Sequence, residues 1–130
     1  MRGITTLGLC LSLVYVLTSC ATQHYSAEVW NTDTQKAKAF VVQWANGNYG
    51  TASVDFNDAL MHTATPQNLQ ATWNQITAIY GDYQGIGETS TSEISGKPII
   101  IVNVLCKKGP LSLHVVFDTD GKIAGFVWNN

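Results

Sequence analysis

The stretch from Ile99 to Trp128, IIIVNVLCKKGPLSLHVVFDTDGKIAGFVW, decides the fold. Ile99 to Cys106 is a continuous apolar run, Leu111 to Phe117 alternates apolar and polar residues, and Ile123 to Trp128 closes the chain. Lys107-Lys108-Gly109-Pro110 and Asp118-Thr119-Asp120-Gly121 separate the three runs and are rich in turn residues. Three consecutive strands joined by short turns make an antiparallel meander. If the first turn takes all four of its residues, Cys106 faces Leu111, Val104 faces Leu113, Val102 faces Val115 and Ile100 faces Phe117. A type I turn with a bulge at Gly121 then sets Phe117 opposite Ile123, Val115 opposite Gly125 and Leu113 opposite Val127. One sheet face is almost wholly aliphatic and needs a covering layer. The other carries Ile101, Asn103, Leu105, Ser112, His114, Val116, Ala124, Phe126 and Trp128, with Asn103 and His114 expected to pair across strands. A contiguous apolar face of that kind marks an interface or a binding groove.

The covering layer lies upstream. Asp33 reads as a helix N-cap, after which Ala37, Phe40, Val41 and Trp44 recur at helical spacing, with Gly47 as the stop. Asn48-Tyr49-Gly50 opens a short helical piece that turns Tyr49, Ala52 and Phe56 to one side, while Leu60 to Ala64 shows no decisive pattern. Thr65-Pro66 is an N-cap followed by proline in the first helical turn; Leu69, Trp73, Ile76 and Tyr80 form the stripe and Gly81 ends it. Tyr83 to Ile94 is polar and rich in Thr and Ser, with Gly85 and Gly87 at an expected bulge. The fold class is therefore α+β: N-terminal helices packed on a curved antiparallel sheet of three to four strands, with Phe40, Trp44, Trp73 and Ile76 against its aliphatic face.

Of the 130 residues, 45% are hydrophobic and 12% charged, with Lys+Arg at 7 and Asp+Glu at 9. That excludes a disordered polar chain and, with no basic block, a nucleic-acid binder. The charge fraction is low against about 25% in ordinary soluble domains. Part of the deficit sits in residues 1–19, MRGITTLGLCLSLVYVLTS, where Arg2 precedes an apolar run too short for a bilayer span of about 20 residues. This is a signal peptide. Residues 20–32 are expected to form a tether, and residues 33–130 the folded domain. Cys106 lies in an apolar run without a partner cysteine and reads as a small buried hydrophobe.

Leu17-Thr18-Ser19-Cys20 resembles the bacterial lipobox. The resemblance implies that Cys20 becomes the lipidated first residue of an exported, membrane-anchored lipoprotein. Ala21, where an Asp would signal inner-membrane retention, favours an outer membrane facing the periplasm in a Gram-negative host. The helix-then-sheet order is similar to the cystatin-like arrangement and to the nuclear-transport-factor-two-like cone. The stretches Asn46-Gly47-Asn48-Tyr49, Thr65-Pro66-Gln67-Asn68-Leu69 with Trp73, Tyr80-Gly81-Asp82-Tyr83 and Lys108-Gly109-Pro110-Leu111-Ser112-Leu113 carry a further resemblance, continued by Val115 to Phe126. They resemble an uncharacterised bacterial domain family found in small lipoproteins and ahead of α/β-hydrolase domains. The shared motifs are structural and name no chemistry.

Asn103, His114, Phe126 and Trp128 are the candidate ligand- or partner-binding residues. No catalytic constellation, cofactor fingerprint or metal set stands out: His62 near Asp55 and Asp58 reads as a solvated helix end, and Asp118-Thr119-Asp120-Gly121 as a turn lacking the distal Glu of a calcium loop. The leading expectation is a non-catalytic envelope domain for a small apolar ligand or a protein partner. Two alternatives stay open: a small isomerase, dehydratase or hydrolase-like enzyme using a cone pocket with His114 or Asp55 as base, and a homodimerisation module.

Overall fold

Helix α1 (Ala27–Ala45) begins where the Ser26 side chain accepts a hydrogen bond from Val29 N–H. It ends at a Schellman turn, in which Gly47 N–H reaches Trp44 O and Asn48 N–H reaches Gln43 O. In this computed structural model, which describes residues 25–129, three more helices follow. They are α2 (Tyr49–Ala52), α3 (Asp58–Thr63) and α4 (Pro66–Tyr80). Asn57 caps α3 and Thr65 caps α4, each through a side-chain oxygen. The sheet is an antiparallel meander in the order β1 (Tyr83–Ile94), β2 (Lys97–Cys106), β3 (Gly109–Phe117) and β4 (Ile123–Asn129). The molecule is thus the expected α+β fold, with helices laid on one face of an open four-stranded sheet. The expected signal peptide and Cys20 lie outside the described residues.

The start of α1 corrects one expectation. Asp33 is not an N-cap; it sits in the second turn of a helix that begins six residues earlier. Residues from Ala27 to Thr32 therefore belong to the domain and not to a tether.

Across the first sheet turn, Cys106 pairs with Gly109, Val104 with Leu111, Val102 with Leu113 and Ile100 with Val115. The turn has two residues, not four. Lys108 N–H is held by Tyr80 O at 2.7 Å and Lys107 N–H by Asp82 O at 2.8 Å, so the end of α4 pins the turn. Pro110 is tolerated in β3 because β4 reaches only to Ser112 and leaves that stretch of β3 without a second neighbour. The shift is two residues, the side-chain period of a strand, so every inward residue stays inward.

The second turn breaks that symmetry. Phe117 pairs with Ile123 and Gly121 takes a positive φ, both as expected. A further bulge then follows, and Val116 pairs with Gly125, Val115 with Phe126 and Leu113 with Trp128. The bulge has a tertiary cause. Ile123 N–H donates to Asp55 O and its carbonyl accepts from Asn57 N–H, so the loop ahead of α3 holds the first residue of β4. One extra residue reverses the faces of everything after it. Phe126 and Trp128 consequently turn inward, and Val127 turns outward.

Phe126 completes an aromatic cluster. Its ring centroid lies 5.1 Å from that of Phe40 and 5.2 Å from that of Trp44, and Trp73 stands 5.0 Å from Trp44 on the other side. Trp44 satisfies its indole N–H on Leu69 O at 2.8 Å, tying α1 to α4. Ile100, Val102, Val104, Leu111, Leu113 and Val115 floor this cluster.

Candidate functional site

Among the described residues, no helix is laid over the outer sheet face. Ile101, Asn103 and Leu105 of β2, Ser112, His114 and Val116 of β3, and Val127 of β4 lie on it. Leu105 is 38% and Val127 60% exposed, and the residues between them are half-buried. His114 stands opposite Ile101 on one side and Val127 on the other. Asn103 stands opposite Ser112, not His114. In β1, Gly87 lies in a bulge beside Asn103, and a methyl group there would come within 3.2 Å of the Asn103 amide nitrogen. The glycine thus lets Asn103 and Leu105 lie flat over β1.

The four candidate binding residues therefore separate. Asn103 and His114 share the outer face, whereas Phe126 and Trp128 pack inward. Phe126 instead edges a small cleft of about 280 Å³ between α3, α4 and β4, with Leu60, Ala64, Asn68 and Thr72. Cys106 is buried in the core and burial pushes its thiol pKa up, as suits a packing residue. His62 is exposed, with its ring Nδ1 2.7 Å from Asp58 O at the end of α3.

A larger cleft, of about 360 Å³, opens between the first half of α1 and the β3–β4 turn. Tyr25, Val29 and Pro98 supply apolar walls; Glu28, Asp33, Asp118 and Asp120 supply acids. Asp33 is 2% exposed, and its Oδ2 is buried without a hydrogen bond. Burial raises its pKa; Lys36 opposes that and Asp118 adds to it. Asp118 behaves in the opposite way. Burial works against its charge, but hydrogen bonds from Lys122 N–H, the Asn57 amide and Asp120 N–H, with the Lys122 charge, outweigh it and lower the pKa. Sequence reading missed this cleft because it spent Asp33 on a cap. The available signal was its spacing: Asp33 lies one turn before Ala37, on the buried stripe of α1. Among the described residues, no group of three or more His, Cys, Asp or Glu side chains is placed to hold a metal ion.

The family described as "Protein of unknown function (DUF3887)" matches residues 37–126, from the middle of α1 to β4. The chain belongs to the DUF3887 family. That span takes in the β2 and β3 residues of the outer sheet face of the DUF3887 domain, while Tyr25, Val29 and Asp33 precede it and Val127 follows it. No curated protein and no solved structure matches the chain. No described helix is long and apolar enough to cross a membrane.

Proposed function

We propose that this chain is a non-catalytic binding domain of the bacterial cell envelope, exported by residues 1–19, anchored through lipid on Cys20, and docking a protein partner on its outer sheet face. The observation that carries the reading is the pair of exposed side chains Leu105 and Val127 on the same face as half-buried Ile101, His114 and Val116, a face that no described helix covers. Removing apolar area from water is worth about 25 cal/mol per Å², so a partner that covers this face gains what the fold leaves unused. Asn103 and His114 supply the polar contacts that orient the partner. In a Gram-negative host the anchor would place the domain at the outer membrane, facing the periplasm, and only residues 21–26 would separate Cys20 from α1.

The test is the mass of the assembly. The lipidated chain from Cys20 onward, extracted in non-ionic detergent, should sediment above the mass of one processed copy once detergent mass is subtracted. Leu105→Lys combined with Val127→Lys should bring it to the single-copy mass with the fold intact. A wild-type chain that sediments as one copy, or an assembly untouched by the two lysines, would overturn the reading. If the heavier species contains only this chain, the partner is a second copy.

A further inference from the structure

We propose that the cleft between α1 and the β3–β4 turn binds a small organic cation, with a primary ammonium group at the Asp33 carboxyl and its alkyl part against Tyr25, Val29 and Pro98. This site lies apart from the outer sheet face and stands or falls without it.

Asp33 carries the argument. It is 2% exposed, yet it caps nothing, and its Oδ2 has no hydrogen bond. Buried carboxylates are costly unless paired, and a fold that retains one without a partner leaves a place for a cation. The nearest cation does not fill it. Lys36, one turn along α1, donates instead to Gly121 O at 2.7 Å and clamps the β3–β4 turn to the helix. The surrounding side chains narrow the ligand further. Glu28, Asp118 and Asp120 line the same cleft with Lys36, so its acids outnumber its one base and a cation is favoured over an anion.

The donor set favours ammonium over a metal ion. Asp118 Oδ1 already accepts from Asp120 N–H and Lys122 N–H, each at 2.9 Å, and Oδ2 from the Asn57 amide at 3.2 Å. Calcium takes six to eight oxygens, and both carboxylate oxygens of Asp118 already accept hydrogen bonds. A primary ammonium has three donors and can be held by one carboxylate and nearby oxygens. The apolar wall is preformed: the Tyr25 hydroxyl donates to Gly96 O, and its ring stands edge-on to Trp30 at 5.6 Å. The ammonium can belong to a free alkylamine or to an ethanolamine headgroup.

Calorimetric titration of the whole chain in non-ionic detergent with n-butylammonium tests the site. Saturable one-site binding is expected, and Asp33→Asn should weaken it at least tenfold. The same substitution should raise Tm by about 4 °C, because it removes an unpaired buried charge. Competition then separates the sources: displacement by 1,4-diaminobutane identifies a free amine, and stronger displacement by glycerophosphoethanolamine a lipid headgroup. No saturable binding of any of the three amines would overturn the proposal. So would equal binding by Asp33→Asn, a lower Tm in that variant, or binding of calcium in place of the amines.

Discussion

Asp33 and Asp118 face one cleft and titrate in opposite senses. Asp118 has its pKa held below 3.8 by donors from Lys122, Asn57 and Asp120, so its contribution to stability is present above that value and fades as pH falls through the lowered one. Asp118→Asn should therefore destabilise the chain at pH 7, with the gap closing on acidification. Asp33 has its pKa raised, so the folded state binds the proton more tightly than the unfolded chain does. Its stabilising share is complete below 3.8 and is lost as pH rises through the raised value. Asp33→Asn should gain about 1 kcal/mol at pH 7 and nothing at pH 3. Urea unfolding of both variants at the two pH values checks the pair of signs. Trp44 makes a different residue-scale prediction. Trp44→Phe keeps the ring stack on Phe40 but loses the indole bond to Leu69 O and leaves unfilled space in the core, and should cost about 2 kcal/mol in the same assay.

Some helix limits were legible in the sequence, whereas the Ser26 and Asn57 caps of α1 and α3 were not. Thr65-Pro66, Gly47 and Gly81 stand at the helix limits that their chemistry implies. Gly81 has φ +86°, and a methyl group there would meet Lys107 Cβ and Lys108 N at 3.2 Å. Gly81→Ala should cost about 2 kcal/mol, read as a fall in Tm of about 10 °C. Sheet faces were legible only while errors came in twos. The shortened Lys107-Lys108 turn moved the pairing of β2 and β3 by two residues and left the faces unchanged. The bulge in β4 moved it by one and sent Phe126 and Trp128 inward. At that bulge Ile123 N–H donates to Asp55 O and Ile123 O accepts from Asn57 N–H, partners more than 60 residues away that no local pattern encodes. Phe126→Ala should therefore cost about 3 kcal/mol, and Val127→Ala under about 0.5 kcal/mol, when denaturant midpoints are compared. The reverse order would restore the unbulged register.

At the scale of the molecule, the described helices lie on one side of the sheet and leave an apolar face on the other, and the proposed docking uses that second face. The inner face holds the aromatic cluster of Phe40, Trp44, Trp73 and Phe126. The outer face offers Asn103 and His114 among Ile101, Leu105, Val116 and Val127. Half of the candidate site was thus readable from alternation in β2 and β3, and the half in β4 was not. Membrane attachment is a separate claim at this scale: Cys20→Ala should move the chain from the membrane to the soluble fraction on cell fractionation. The most direct test of the outer face as docking surface is photo-crosslinking in the cell. A benzophenone side chain at Val127 should give one discrete heavier species. The same group at Ile79, 62% exposed on the helical side, should give none. Equal crosslinking from both positions, or none from position 127, would contradict the account.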